Sequence, residues 1–414
     1  MPFGMSEPET SPFESLRYHP YRWFLIGGFT LFIATQIQLV VLGWQIYSLT
    51  KDPLSLGLIG LSEALPFLSL TLFGGYLADR FDRKRLCLIS LLPILAGSIL
   101  LMVTNWSNSV EQVWIFYGAQ ALGGVGRAFF RPAYQALVSD LIPKESYVNA
   151  STMRSSTFHI AMVIGPVVGG FLIPLGYRTA YAFVCLLVLF TLASYMKIKP
   201  LHRFERKSTD ETRFFDGVRF VFTEKIVLGA LTLDLFAVLF GGAISLLPIF
   251  ARDILQVDEK GFGLLRSAPA IGSIVISLWL AFNPPDRHMG RQLLMCVFIF
   301  GLGWIAFALS SSFIISFVIL IICGAADNVS VIMRSALIQL QTPRHLMGRV
   351  GAVNSFFIGS SNEIGAFESG LAAKLLGTIP SVVFGGIMTL VTVGAVAWKI
   401  PALRKLDRLD DTQS

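Results

Sequence analysis

Residues 74–86 read GGYLADRFDRKRL. An apolar run, 55–78, leads into this stretch, and another, 86–104, leaves it. Between them stand Arg80, Arg83, Lys84 and Arg85, together with Asp79 and Asp82. A bilayer core of about 30 Å is crossed by about 20 apolar residues in a helix. A short charged turn between two runs of that length therefore reads as a membrane hairpin. The whole chain agrees. Of its 414 residues 54% are hydrophobic and 14% charged, with a mean hydropathy of +0.67. Soluble domains carry about 25% charged residues, so a soluble enzyme of this length is excluded, as are disorder, collagen and coiled coil. Cys87, Cys185, Cys296 and Cys323 each sit alone in an apolar run, which leaves no zinc or redox pair and no disulfide scaffold.

Outward from the hairpin, twelve spans are expected at 22–48, 55–78, 86–104, 113–139, 146–174, 178–196, 226–250, 261–282, 291–309, 312–340, 347–375 and 380–399. The first is too long for a signal-peptide core. The formal charge is +7 and the pI about 9.3. The basic residues lie in short loops, so the expected partner is the lipid bilayer and not nucleic acid. Lys and Arg concentrate in the 74–86 turn, in 197–225 and in the tail, which places both termini in the cytoplasm. The organisation is then a cytoplasmic segment 1–21, a six-helix bundle 22–196, a cytoplasmic linker 197–225, a second bundle 226–399 and a tail 400–414. Shifting the chain by 200 residues lays Pro143, Ile164, Gly165 and Gly170 on Pro343, Ile364, Gly365 and Gly370. A shift of 203 lays Leu61 and Pro66 on Leu264 and Pro269. The expected fold class is an all-α membrane protein of 12 transmembrane helices in two pseudo-symmetric six-helix bundles, with a substrate path between them.

The opening stretch resembles the loop 2–3 signature of the major facilitator superfamily, G-x-L-a-D-r-x-G-r-k. Gly75, Leu77, Asp79, Arg80, Arg83 and Lys84 match. Asp82 stands at the second glycine, so a less tight turn is expected there. Gly75, lacking a side chain, is expected to admit a close helix. The resemblance implies a gating latch, in which Asp79 docks on the positive N-terminus of span 11 beside Arg349 and holds the outward-open state closed at its cytoplasmic side. A degraded counterpart stands at Asp286, Arg287, Gly290 and Arg291. Residues 161–170, AMVIGPVVGG, resemble the family's antiporter motif through Gly165, Pro166, Gly169 and Gly170. Pro166 bends the helix, and the glycines admit a neighbour such as span 8. The resemblance implies the hinge and seal of an exporter, and the plainer alternative is small-residue packing. The family's fourth-span pattern would put an arginine at Gln120; the chain has Arg127 and Arg131 instead. Residues 341–343 (Gln-Thr-Pro) and 347–350 (Met-Gly-Arg-Val), with Gln45, Tyr47 and Thr50, resemble the enterobactin-exporter and macrolide-efflux branch of drug:proton antiporters.

Ionisable residues inside spans are costly and point to function or to pairing. Asp327 and Glu363 fall near the midplane, with Arg127 close by, counting 1.5 Å per residue. They are candidates for proton coupling or the substrate cavity, with Gln120, Asp234 and Asn362 beside them. A permanent ion pair that fixes packing is the alternative. Glu63, Arg266 and Glu368 fall in the outer half and are candidates for an outer gate. Arg131 and Arg334 read as structural or lipid-facing. His159 has no second ligand at metal spacing, so no metal site is expected. Phe129, Phe130, Phe356 and Phe357 are candidates for an aromatic cavity wall.

The chain has no G-x-x-x-x-G-K-[ST] loop, so ATP is not expected as the energy source. It has no nucleophile elbow or H-E-x-x-H, and no catalytic residue or cofactor is expected. The resemblance implies a monomeric carrier of the bacterial inner membrane, driven by the proton gradient. It would export an amphipathic organic solute, a drug or a siderophore, by alternating access. Import of a nutrient or metal chelate, lipid transport, and a non-transporting receptor or scaffold are the alternatives. Asp79→Asn is expected to impair transport without preventing membrane insertion. Normal transport by that variant would reject the latch.

Overall fold

The computed structural model describes residues 13–106, 112–201, 214–241, 243–283, 288–343 and 346–405. Among them are twelve long helices: α1 (His19–Thr50), α2 (Pro53–Arg80), α3 (Arg83–Thr104), α4 (Trp114–Leu141), α5 (Tyr147–Leu172), α6 (Tyr177–Met196), α7 (Lys225–Gly241), α8 (Glu259–Phe282), α9 (Met289–Leu309), α10 (Phe313–Gln341), α11 (Met347–Leu376) and α12 (Thr378–Lys399). Ten of the helical stretches are long and apolar enough to cross a membrane; α4 and α11 are not among them. Those two carry Arg127, Arg131, Glu363, Glu368 and Lys374, so their polarity marks the centre of the molecule and not a missing span.

Local chemistry sets the helix ends. Asp52 accepts a bond from the Leu54 amide and Pro53 fills the first turn of α2, as a cap and an N1 proline do. Asp82 accepts from the Arg85 amide at 2.9 Å and caps α3. The turn between α2 and α3 is only two residues long and Asp82 has φ −56°, so the less tight turn expected from the missing glycine is not found. An aspartate serves there because the turn needs a cap, not a positive φ. Gly176 and Gly377, at φ +100° and +93°, make the α5–α6 and α11–α12 turns, a backbone that glycine adopts without steric cost.

The two sets of six helices pair in the same way. In the first, α2 packs on α4, α3 on α4 and α6, and α1 on α5 and α6. In the second, α8 packs on α10, α9 on α10 and α12, and α7 on α11 and α12. One departure stands out. The seventh span was expected to be continuous over 226–250. The structure has α7 end at Gly241, followed by a 3-10 turn (Ala243–Leu246), the short helix Leu247–Ile249 and a π turn (Phe250–Ile254). Pro248 withdraws an amide from the ladder within this stretch. The linker also contains more than polar residues: Phe214–Thr223 is helical and packs Val218 and Val221 against Val227, Leu231, Ile338 and Val350. Asp286 and Arg287 lie outside the described residues.

The halves meet through two crossings, α2 on α11 and α5 on α8. A Cβ on Gly370 would lie 2.7 Å from Gly57 Cα, and one on Gly263 would lie 3.0 Å from Gly170 Cα. Both crossings are in the halves of these helices away from the chain termini, here the distal side. More contacts join the halves there: Lys374 Nζ donates to Asp52 Oδ2 at 3.1 Å, Arg252 Nη1 to Ser48 Oγ at 2.6 Å, and Tyr47 to Asp253. On the terminal side the same helices stand apart. Along α5, Gly165, Pro166, Gly169 and Gly170 are buried, whereas Val148 is 80% exposed and Ser151, Thr152, Ser155 and Ser156 are exposed. The structure is open at the terminal side and closed at the distal side. Gly170→Trp is expected to hold the distal seam apart. Spin labels placed at Leu175 and Leu376, both exposed at that face, would then report a longer distance than in the wild type; an unchanged distance would show that the crossing is not the seal.

Candidate functional site

A chain of polar side chains runs through the middle of the molecule. Ser98 Oγ on α3 donates to Gln38 Oε1 on α1 at 2.8 Å. Gln38 Nε2 donates to Gln120 Oε1 on α4 at 2.8 Å, and Gln120 Nε2 to Glu63 Oε2 on α2 at 3.3 Å. Arg127 Nε lies 2.9 Å from Glu63 Oε1. Arg127 Nη2 donates to Glu363 Oε1 on α11 at 2.8 Å. Arg127 and Gln120 project from one face of α4, being seven residues apart. The Arg127 guanidinium also lies 5.5 Å from the centre of the Phe67 ring. A single cation is thus held between two carboxylates, one from each half. The Arg127 side chain is 33% exposed and that of Glu363 19%, so the pair is not fully sealed by the surrounding helices.

The structure brings Arg127, Glu363, Gln120 and Glu63 together, and so separates Glu63 from the outer-gate trio expected for it. Glu63 faces α4, because Gly124 lets α2 come within contact of the α4 backbone. Arg266 instead donates from Nη1 to the Ile244 carbonyl at 2.9 Å, and Glu368 makes no hydrogen bond or ion pair among the described residues. Asn362 is exposed and turns back on its own helix, donating to the Ile358 carbonyl at 2.8 Å. Asp234 pairs with Arg334, which is 1% exposed; this arginine is therefore neither lipid-facing nor snorkelling. Asp327 stands near them, bordering a small cavity with Asp234, Ser330, Cys296 and Phe300. Of the expected aromatic wall, Phe356 is 40% exposed, but Phe130 is core, stacked on Tyr134 at 5.5 Å between ring centres.

The 74–86 turn is tied to its own half. Arg83 Nη1 bonds Asp140 Oδ1 at 2.6 Å and Ser139 Oγ at 2.9 Å; Lys84 Nζ reaches the Met196 carbonyl at 3.0 Å, at the end of α6. Arg80 lies 4.2 Å from the centre of the Tyr76 ring. The close approach expected at Gly75 belongs to its neighbour. Gly74 is pressed on the Ala128 backbone of α4, whereas a Cβ on Gly75 would meet nothing within 4 Å. The carboxylate of Asp79 makes no hydrogen bond or ion pair among the described residues. At the start of α11, Arg349 is covered by the linker helix: a Cβ on Gly217 would lie 2.6 Å from its Cβ. Asp79 and Arg349 therefore make no contact with each other among the described residues. The antiporter motif divides its work, with Gly165 and Gly169 against Gln36 and Val40 of α1 and Gly170 against α8. Two members of these polar networks were missed from the sequence, Asp140 and Ser98. Neither sits in a motif, and their partners are 57 and 60 residues away.

Residues 10–414 match the transmembrane secretion effector family of the major facilitator superfamily. The chain belongs to that family. It is 24% identical over 411 residues to the multidrug efflux pump Tap of Mycolicibacterium fortuitum, covering 94% of this chain and 97% of the relative. It is 24% identical over 389 residues to the enterobactin exporter EntS of Shigella flexneri (91% and 90% covered). It is 22% identical over 287 residues to the staphyloferrin A transporter of Staphylococcus aureus (68% and 72%). Among solved structures, a POT family transporter with 5-aminolevulinic acid superposes with a TM-score of 0.76 at 12% identity, over 94% of this chain and 97% of that one. An inward-facing bacterial homologue of the lysosomal transporter Spinster gives 0.69 at 15%, over 93% and 95%. The protein is a multi-pass membrane transporter of small molecules, with efflux proteins among its relatives, and is not an enzyme.

The Asp234–Arg334 pair, with side chains 8% and 2% exposed, stabilises only while both partners are present. Removing one partner of a buried pair costs about 3–5 kcal/mol, whereas replacing both is close to neutral. Asp234→Asn is expected to lower the thermal unfolding midpoint in detergent by the equivalent of about 3 kcal/mol. Asp234→Asn combined with Arg334→Met should recover most of that loss. Single and double variants of equal stability would show that the pair does not carry the packing.

Proposed function

We propose that the protein exports an amphipathic organic solute, a drug or a siderophore, in exchange for protons across the bacterial inner membrane. The observation that carries this reading is Arg127 held between Glu63 of one half and Glu363 of the other, with the arginine side chain still one-third exposed. A carboxylate that bridges the halves while ionised, and releases its arginine once protonated, couples the proton to the relative position of the halves. The names of two relatives, a multidrug efflux pump and an enterobactin exporter, support the direction and the solute class. The Lys- and Arg-rich terminal side is assigned to the cytoplasm on the charge of its loops, which makes the structure inward-open.

In this state Glu363 is paired with Arg127, and the α2–α11 seam beside it is closed. A solute entering from the cytoplasm competes for Arg127 and Glu363 and loosens the bridge. The halves then rock, the distal seam parts, and Asp79 comes within reach of the α11 N-terminus. A proton taken up by Glu363 on the outer side replaces the solute and is given up when the pair re-forms inside. Substrate and proton thus share one group in turn, which is the requirement for antiport.

The test is proton movement in proteoliposomes carrying a pH dye, screened against siderophores and amphipathic drugs. A compound that drives proton movement in the wild type and not in Glu363→Gln supports exchange at Glu363. The variant is also expected to lose the pH dependence of transport, because a glutamine stays neutral at every pH. Unchanged pH dependence in Glu363→Gln would remove that residue from the proton path.

A further inference from the structure

The two halves contain the same helix crossing twice. Pro66 of α2 packs on Gly124 of α4, where an added Cβ would lie 2.9 Å from the proline Cγ. Pro269 of α8 also packs on Gly324 of α10, there through its backbone. Three residues before the proline stands Glu63 in the first half and Arg266 in the second. Three residues after the glycine stands Arg127 in the first and Asp327 in the second. The Glu63–Arg127 ion pair therefore has a counterpart at equivalent positions with both charges reversed. Opposite charges within two neighbouring spans are costly to leave unpaired, which favours a state in which they meet.

Here they do not meet. Arg266 Nη1 donates to the Ile244 carbonyl at 2.9 Å. Asp327 makes no hydrogen bond or ion pair among the described residues. The reason lies just past α7. Ile244 sits in the 3-10 turn Ala243–Leu246 beyond α7, and Pro248, four residues on, has no amide with which to bond its carbonyl. The equivalent helix of the first half, α1, runs unbroken from His19 to Thr50. The other charged or titratable groups about Asp327 are accounted for: Asp234 on α7 is paired with Arg334 on α10, and Cys296 on α9 and Cys323 on α10 are thiols.

We propose that Arg266 and Asp327 form an ion pair in the opposite, terminal-closed state and part in the state seen here, with the Ile244 carbonyl as the stand-in acceptor. The Arg127–Glu363 bridge is then made in one state and the Arg266–Asp327 pair in the other. Each end state keeps an intramembrane pair that the opposite one lacks, and the conformation of the 3-10 turn Ala243–Leu246 decides whether the carbonyl competes. This rests on the alternation proposed above. Its test reads conformation and not transport, so failure of proton exchange at Glu363 would leave it standing.

The experiment uses the full chain in nanodiscs, with native cysteines replaced and spin labels at Phe81 and Asn283, exposed positions on the terminal face of each half. Arg266→Gln and Asp327→Asn are each expected to deplete the short-distance, terminal-closed population. The charge swap Arg266→Asp with Asp327→Arg is expected to restore it. Singles that leave the populations unchanged, or a swap that restores nothing, would overturn the proposal. If the wild type shows only the long distance, the decision passes to a double-mutant cycle on thermal stability in the Gly170→Trp background, or Gly370→Trp should that chain fail to fold. Coupling between Arg266→Gln and Asp327→Asn in that background, absent without it, supports the pair. Additive shifts in both backgrounds would overturn it.

Discussion

Arg127 sits where an unpaired charge is least affordable, within the membrane-spanning part of α4, and two carboxylates from different halves resolve that cost together. Glu63 belongs to the same bundle and Glu363 to the other. Everything that positions them follows from close helix approach. Gly124 lets α2 lie on α4, and the Gly57–Gly370 crossing brings α11 against α2. Widen either crossing and the guanidinium loses a partner. The charge cluster and the small-residue crossings are therefore one device, in which packing sets the electrostatics.

The duplication explains why that device is lopsided. Helix pairing is the same in the two halves, and so are the glycine turns and the proline-on-glycine crossings. The polar groups differ. The first half carries a hydrogen-bonded chain from Ser98 to Glu63 that orients the bridging arginine. The second carries a buried Asp234–Arg334 pair and a broken α7.

Distal closure and terminal opening are likewise one state seen at two ends. Glycines hold the distal seam, while Gly75 on α2 faces open space and Asp79 finds no partner among the described residues. The motif in the 74–86 turn keeps Arg83 and Lys84 on its own bundle in this state, bonded to α4 and the end of α6. The Asp79 carboxylate makes no hydrogen bond or ion pair among the described residues.

Span number, the two-half repeat and the family were legible from residue order alone, because hydrophobic length, loop charge and the 74–86 motif are local properties that survive without coordinates. The pairing of Arg127 with Glu363 was within reach through depth along the helix, which follows from rise per residue. Rotation about the helix axis was not. Glu63 was assigned by depth to an outer gate, yet it faces α4; Gly75 was read as the close-packed glycine, yet Gly74 is. A shift of one residue turns a side chain by about 100°, and only the neighbouring helix decides which orientation is occupied. The same holds for Asp234 and Arg334, two charges about 100 positions apart whose partnership exists because α7 and α10 are packed side by side. Residue order determined what must cross the membrane and what is costly there; tertiary packing decided which costs are met by which partner.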